Sequence, residues 1–268
     1  MLSGLLGNRS NKNKDFVFET FKSQIESNGM KIDAVDETGL ISITKGAIKL
    51  KISLDNVRRN YERDNDEIHI SDLVQTLISH AFELPTDWTT VKDDIYISLL
   101  PNDYDFDNTP FKSISDEFSK VYIYVGQGDF TWVSKNDLAT WNVTEADLND
   151  QANNNANNLL KQTEIAFETI EDRKLGRIEN GNPALKGALL FATDMNEKVE
   201  RDFGFPFYTV IPARDFCYIF SEEDFDFFAQ RIGKVVVNEY NQSGYPITTE
   251  ILKFTSEGPE AVGKYPSN

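Results

Sequence analysis

The sequence contains few of the residues that commonly build chemical sites. Its one cysteine, Cys217, excludes an internal disulfide and any multi-cysteine zinc or iron–sulfur site. Its two histidines, His69 and His80, do not have the H-x-x-x-H spacing of a metal site. The sequence also lacks a phosphate-binding loop, a glycine-rich dinucleotide motif, a G-x-S-x-G elbow and an H-E-x-x-H helix. We therefore expect no cofactor and no metal site.

Long apolar runs are missing as well. The longest ones, such as Ala188–Ala192, are far shorter than the roughly 20 apolar residues of a membrane-spanning helix. The first residues, 1–14, are polar and lack the apolar region of a signal peptide. We expect a cytoplasmic protein that does not bind membranes, with residues 1–14 as a disordered tail.

Positive charge is scarce. The chain has 27 Lys and Arg against 44 Asp and Glu, for a formal net charge of −17, and residues 85–162 hold 5 basic and 13 acidic residues. Such a chain repels the phosphate backbone, so we expect no nucleic-acid binding. Two interpretations of the acidity stay open. It forms a solvated surface, or it forms an acidic face that receives a basic partner protein through electrostatic steering.

Hydrophobic periodicity, helix caps and turn residues predict an α+β fold. We expect mainly antiparallel sheets with packed helices, arranged in two or three small subdomains. The predicted divisions are a disordered tail at 1–14, an N-terminal α+β unit at 15–84, an acidic middle α+β unit at 85–162 and a C-terminal α+β unit at 163–268.

In the N-terminal unit, Asp15 and Ser71 are each placed to cap a helix. Three β-prone runs lie between these helices, separated by turn residues: Met30–Val35, Leu40–Thr44 and Ile48–Leu54. In the middle unit, Val121–Val125 and Phe130–Val133 predict a hairpin, and Ser134 and Thr144 are predicted helix caps. The second helix continues through an asparagine-rich segment, which only packing of its apolar residues can hold in order.

In the C-terminal unit, short apolar runs predict six strands: Ile165–Ile170, Lys174–Glu179, Ala188–Ala192, Phe207–Ile211, Phe216–Phe220 and Thr248–Phe254. Asn196–Phe203 is a predicted helix closed by Gly204, and Ser221 is predicted to cap another helix. The residues from Ser256 onward are rich in Gly and Pro and predict a tail.

Three segments of the chain carry a likeness to a known family. Trp141–Leu148 reads W-N-V-T-E-A-D-L after a predicted strand pair. Val210, Pro212 and Asp215 end an apolar strand as V-x-P-x-x-D, and Gly244–Thr248 follows a helix with P-I-T. In these features the chain resembles the YtpQ-like family of bacterial proteins of unknown function, best over about the last 150 residues and more loosely over the whole length. The resemblance implies a cytosolic α+β protein and supplies no catalytic residue.

An acidic loop, Asn102–Thr109, follows a predicted strand at Val91–Leu100 and is one candidate binding segment. Asp103, Asp105 and Asp107 have the spacing of the first ligands of a calcium loop, but the sixth and twelfth positions hold Asn108 and Ile114 where an EF-hand needs Gly and Glu. This favours a solvated acidic loop over a metal site. We therefore assign the three aspartates to protein binding.

The turn at Arg214 and Asp215 is the other candidate. Both residues follow a proline between two predicted strands, where they either present a guanidinium and a carboxylate to a ligand or form a salt bridge that pins the turn. The salt bridge is the favoured interpretation, although the family resemblance also falls here. Cys217, in the following apolar strand, is predicted to be a buried structural thiol rather than a reactive one.

The absence of catalytic signatures and the acidic balance favour a non-enzymatic, cytosolic protein-binding function. One concrete form is an immunity or antitoxin-like inhibitor that docks its acidic middle segment on a basic toxin. The alternative is a hydrolase or transferase with carboxylate-based chemistry, which a polar pocket with converging carboxylates would favour. The expected partner is a protein with a basic surface. The oligomeric state is left open.

Overall fold

The computed structural model describes residues 15–37, 39–45, 48–79, 84–104, 106–126 and 130–267. The chain divides into two compact units, Met1–His80 and Ala81–Asn268. The N-terminal unit contains α1 (Phe16–Ser27), β1 (Lys31–Val35), β2 (Ile41–Lys45), β3 (Ile48–Ile52), α2 (Asp55–Asp64) and α3 (Ile68–Ser79). The three strands form an antiparallel sheet in the order β1-β2-β3.

The first helix of this unit forms as its sequence predicts. The side chain of Asp15 accepts a hydrogen bond from the Phe18 amide at 3.1 Å, which satisfies one of the free donors of the first turn. Val17, Phe21 and Ile25 are buried on one face. The predicted three-stranded meander is confirmed.

The other helices of this unit differ from the prediction. Helix α2 was not predicted, because its sequence is almost entirely polar and Val57 is its one buried residue. A salt bridge from Arg58 to Asp15, 2.7 Å long, connects it to the start of α1. The prediction that Ser71 caps a helix is wrong. Helix α3 begins at Ile68, whose amide donates to the Asp66 carboxylate at 2.9 Å.

The C-terminal unit contains six helices and ten strands within its described residues. The helices are α4 (Trp88–Val91), α5 (Lys135–Trp141), α6 (Glu145–Gln162), α7 (Met195–Phe203), α8 (Phe225–Arg231) and α9 (Gly233–Gln242). The strands are β4 (Ile95–Pro101), β5 (Lys112–Ser113), β6 (Phe118–Val125), β7 (Phe130–Trp132), β8 (Glu164–Ile170), β9 (Arg173–Glu179), β10 (Phe207–Ala213), β11 (Phe216–Ser221), β12 (Glu250–Thr255) and β13 (Gly258–Lys264). Short 3-10 helices occupy Lys92–Asp94, Pro183–Leu185 and Gly187–Phe191.

These strands build two antiparallel sheets. One has the order β4-β6-β5, with β7 also paired to β6, and the other has the order β13-β12-β10-β11-β9-β8. A main core joins both sheets to helix α6, through residues such as Phe118, Leu148 and Phe207. A second core covers the other face of the larger sheet and includes Phe220 and Phe228. Helices packed on antiparallel sheets confirm the α+β class.

The contacts place the domain boundary differently from the prediction. A division between residues 85–162 and 163–268 would cut through the main core, which contains Leu148 and Leu160 of α6 together with Ile178 and Ile219 of the larger sheet. The physical reason is that the buried residues of α6 belong to the same hydrophobic core as those of both sheets. Residues 81–268 therefore form a single unit.

Three predictions for the C-terminal unit are wrong. Ser221 does not cap a helix, because α8 begins only at Phe225, after Asp224. The Ala188–Ala192 run forms part of a 3-10 helix, Gly187–Phe191, because an apolar run buried on all sides has no periodicity that separates strand from helix. The segment after Ser256 is not a tail but strand β13, which pairs with β12 at the sheet edge. An edge strand tolerates Gly258 and Pro259, since its outer side needs no ladder hydrogen bonds.

The helix caps of the middle segment are confirmed. Ser134 and Thr144 each form a capping box, accepting from the amide of Asp137 and Asp147 respectively, while each aspartate accepts from the amide of its cap residue. The predicted hairpin is also confirmed in its strands, β6 and β7. Within the described ranges, no helix combines the length and the apolar composition that crossing a bilayer requires.

Candidate functional site

A cavity of about 510 Å³ opens beside the β10–β11 turn of the C-terminal unit. The end of β6, the start of β7, the loop after β9 and the segment after α9 supply its walls. Its described lining residues are Ile123, Val125, Gly126, Phe130, Gly181, Asn182, Pro183, Ala184, Arg214, Asp215 and Tyr245.

Arg214 is the central polar residue of this cavity. It is 4% exposed, although it lies in a turn between two strands. Its guanidinium carbon lies 4.0 Å from the ring centroid of Tyr245 and 4.7 Å from that of Phe130. Both distances are in the range of cation–π contacts. The rings contact the cation without being able to neutralise its charge.

The charge of Arg214 has no paired carboxylate among the described residues. Burial lowers the pKa of Arg214, and the nearby phenols of Tyr245 and Tyr104 and the carboxylate of Asp215 oppose this effect. An arginine side chain stays protonated in proteins, so a desolvated cation faces the cavity. Burying a charge without a partner is costly, and such groups are typical of binding sites.

The predicted salt bridge between Arg214 and Asp215 is wrong. Asp215 is exposed at the rim of the cavity while Arg214 is buried, and no ion pair joins them within the described set of contacts. The physical reason is that the Arg214 guanidinium packs against the rings of Phe130 and Tyr245, whereas Asp215 stays exposed to solvent. The alternative was that the turn presents both groups to a ligand. This is consistent with the structure, in which Arg214 is buried in the cavity wall and Asp215 lies at the rim.

Backbone contacts on both sides fix the position of Arg214. Its amide donates to the Tyr245 carbonyl at 3.1 Å, and its carbonyl accepts from the Gly187 amide at 3.0 Å. A Cβ atom on Gly187 would lie 2.8 Å from the Ile211 side chain and 3.2 Å from the Arg214 carbonyl oxygen. Glycine at this position therefore permits the 3-10 helix to approach the turn closely.

The other predicted residues lie elsewhere. Asp103 and Asp107 are exposed on the loop after β4 and do not line the cavity, and Asp105 lies outside the described residues. The part of the chain that the structure describes contains no cluster of three His, Cys, Asp or Glu side chains placed to hold a metal ion.

Neither His69 nor Cys217 lines this cavity. The Nε2 atom of His69 lies 2.9 Å from the Asp64 carboxylate in the N-terminal unit, and this hydrogen bond lowers the pKa of Asp64 to about 2. His80 lies outside the described residues. Cys217 is 3% exposed, and burial raises the pKa of its thiol to about 12. The prediction of a buried cysteine is confirmed.

No protein-family model, curated protein or solved structure matches this chain. The resemblance to the YtpQ-like family stays a prediction.

Two of the segments that carry this resemblance meet at the cavity. The amide of Ile247 donates to the Pro212 carbonyl at 2.9 Å, next to the bond between Arg214 and Tyr245. Sequence reasoning did not identify Phe130 or Tyr245 as partners of Arg214. The V-x-P-x-x-D segment and the segment with P-I-T are both among the features shared with the YtpQ-like family. That likeness does not show that the two segments are in contact.

Proposed function

We propose that this protein is a ligand-binding protein that holds an organic carboxylate in the Arg214 cavity. The observation that carries the proposal is the buried guanidinium of Arg214, which contacts two aromatic rings and has no carboxylate partner among the described residues. A ligand carboxylate would supply the missing charge.

The chemistry of the guanidinium favours a carboxylate over other groups. Its five N–H donors form a rigid planar fork that matches the two oxygens of a carboxylate. The rings of Phe130 and Tyr245 restrict the orientation of this fork, so less conformational entropy is lost when the ligand binds. A charge-assisted, bidentate pair in a desolvated site is stronger than the same pair in water.

The other residues that line the cavity indicate what the rest of the ligand, beyond its carboxylate, is made of. Ile123, Val125 and Pro183 provide apolar surface beside the cation. The volume of about 510 Å³ lies in the usual range for small-molecule sites, about 300–1,000 Å³. We therefore propose a small acid with an aliphatic or aromatic body.

This proposal agrees with the sequence-based prediction of a binding function, but the proposed ligand is a small organic acid and not a basic protein. The alternative hydrolase or transferase would use converging carboxylates, and Asp215 is the one carboxylate among the described lining residues. That composition supports binding of an anion over carboxylate-based catalysis at this cavity. Docking of a basic partner protein remains a separate proposal, which rests on the exposed acidic loop.

Calorimetry with the full chain tests the proposal. Benzoate, phenylacetate and medium-chain fatty acids are titrated against the wild type, each beside its neutral amide. We expect saturable heat from at least one acid, with the matched amide at least about tenfold weaker because it cannot form the charged pair. Equal binding of acid and amide would contradict the proposal.

A pair of arginine variants provides the control. Arg214→Met removes the cation but keeps a long side chain that can pack on the two rings. Arg201→Met removes an arginine whose side chain is 89% exposed in the same unit. Acid binding should be lost in R214M and unchanged in R201M.

The same variants separate a binding role from a structural one. If Arg214 serves a ligand, R214M should change the free energy of unfolding by less than about 1 kcal/mol, because removal of an unpaired buried charge offsets the lost ring contacts. A large loss of stability in R214M, together with unchanged acid binding in Arg214→Lys, would show that Arg214 stabilises the turn and does not bind the ligand.

A further inference from the structure

A second cavity, of about 600 Å³, lies in the C-terminal unit and contains two lysines. Lys120 belongs to β6, and Lys112 is its direct register partner on β5. Lys120 and Ile123, which lines the Arg214 cavity, occupy opposite faces of β6 because side chains alternate along a strand. The two cavities are therefore separate sites.

The burial of Lys120 is unusual for a lysine. The residue is 8% exposed, and its Nζ atom donates to the Asn149 side-chain oxygen at 2.7 Å. The Tyr122 hydroxyl donates to the same oxygen at 3.1 Å. An ammonium group carries three N–H donors, and the neutral Asn149 oxygen accepts one of them. The other two donors have no protein acceptor among the described contacts.

Neither lysine has an acidic partner within the described residues, in a chain with 44 acidic residues. Four of the nine other lysines of this unit have one among the described contacts: Lys174 with Asp202, Lys186 with Glu179, Lys253 with Glu222 and Lys264 with Glu117. Two like charges directly opposite on neighbouring strands repel each other. Burial, and secondly the charge of Lys112, lower the pKa of Lys120 to about 8.

The rest of the wall fits an anionic ligand with an apolar body. The side chains of Asn149 and Asn153 and the first turn of α7, at Met195 and Asn196, line the cavity. The start of a helix carries partial positive charge and free backbone donors. An aromatic floor is formed by Phe191, Phe205, Phe207 and Phe254. Glu257 is the acidic residue of the described lining and is exposed.

We propose that the cavity between Lys112 and Lys120 binds a phosphate monoester attached to an apolar or aromatic body. A phosphate monoester carries up to two negative charges and three acceptor oxygens, so it neutralises both lysines at once. The aromatic floor then covers the rest of the molecule. This chemistry is shared by soluble phosphorylated metabolites and by the head group of phosphatidic acid, and the experiment separates the two sources.

The test uses the full chain with phenyl phosphate, inorganic phosphate and phenol as calorimetric ligands. We expect saturable binding of phenyl phosphate, weaker binding of inorganic phosphate because it leaves the aromatic floor empty, and no binding of phenol. Cosedimentation with phosphatidylcholine vesicles, with and without phosphatidic acid, reports the lipid source. If the protein binds phenyl phosphate but not the vesicles, the ligand is a soluble phosphorylated metabolite. If it binds vesicles only when they contain phosphatidic acid, the ligand is the lipid head group.

Three lysine variants decide whether this cavity is responsible. Lys120→Met and Lys112→Gln should each weaken phosphate-monoester binding at least about tenfold. Lys161→Gln removes an exposed lysine on α6 and should leave binding unchanged. Arg214→Met should also leave it unchanged, since the two sites are independent. The proposal would be overturned if no phosphate probe binds at millimolar concentration. It would also be overturned if Lys120→Met and Lys112→Gln bind the phosphate monoester as well as the wild type does.

Discussion

The side-chain amide nitrogen of Asn155 lies 2.8 Å from the backbone carbonyl oxygen of Ile95. The same nitrogen donates to the Lys92 carbonyl at 2.7 Å, and the Asn155 oxygen accepts from Gln151 at 2.9 Å. One buried asparagine of α6 thus completes the hydrogen bonds at the start of β4. The asparagine-rich helix is ordered by this polar contact as well as by its apolar face.

We expect Asn155→Ala to lower the free energy of unfolding by about 1–3 kcal/mol. The variant leaves the Ile95 carbonyl without its side-chain donor, and an unsatisfied buried group costs about that much. The Lys92 carbonyl keeps the Ile95 amide as a second donor. Asn154→Ala is the matched control, because Asn154 is exposed on the same helix. The control should be neutral or slightly stabilising, since alanine is the better helix former. Urea denaturation measures both, and equal effects in the two variants would contradict the role assigned to Asn155.

Gly176 of β9 is predicted to be intolerant of any side chain. A Cβ atom there would lie 2.5 Å from the ring of Phe203 on α7. We expect Gly176→Ala to lose about 1–3 kcal/mol of stability through overpacking. Gly181→Ala, where no atom lies within 4 Å of the added carbon, is the control. If the clash with Phe203 is the cause, Phe203→Leu should recover part of the loss in the double variant, which a thermodynamic cycle measures.

The stability of the protein should decline at alkaline pH. Burial raises the pKa of Cys217 to about 12 in the folded state, whereas an unfolded thiol loses its proton above about pH 8.5. The unfolded state therefore holds fewer protons between these values, and the free energy of unfolding falls as the pH rises. Tyr122 and Tyr265, whose pKa values burial raises to about 12, act in the same direction.

Cys217→Ala should show a shallower decline of stability between about pH 9 and 11, although its stability at neutral pH is reduced by the lost packing. In the wild type at pH 8, a thiol reagent should modify Cys217 orders of magnitude faster in urea than in buffer, because the native thiol is buried and protonated. Rapid labelling of the native protein would contradict this picture.

Docking through the acidic loop stays a prediction. If the protein binds a basic partner there, replacement of Asp103, Asp105 and Asp107 by Asn should slow association at low salt. The effect should shrink as salt rises, because the screening length is only about 10 Å at 0.1 M. Asp103 and Asp107 are exposed, so stability should change by less than about 0.5 kcal/mol.

Surface-based kinetics at two salt concentrations measure this effect, with a partner isolated by pull-down from the host. Replacement of the exposed residues Glu168 and Asp172 by their amides is the control for a general loss of negative charge. Equal slowing in the control would show that net charge, and not this loop, governs association.

Local chemistry predicted much of the secondary structure. The caps at Asp15, Ser134 and Thr144 form as predicted, because a cap depends on residues within one helical turn. Strands β10 and β11 were also predicted, because each is a short apolar run next to a turn. Helix α2 and the edge strand β13 were not, because their sequences carry little periodicity and tertiary contacts hold them in place.

The sequence by itself determined the acidic charge, the α+β class and the starts of α1, α5 and α6, since these follow from composition and from neighbours along the chain. Only the tertiary structure decided which cations lie buried. Arg214 meets Phe130 and Tyr245, and Lys120 faces Lys112, through contacts between segments that are separate in sequence. The desolvation of a charged group depends on all the residues that pack around it. From the sequence alone an arginine or a lysine is expected at the surface, and only the folded structure shows that it is buried in a cavity.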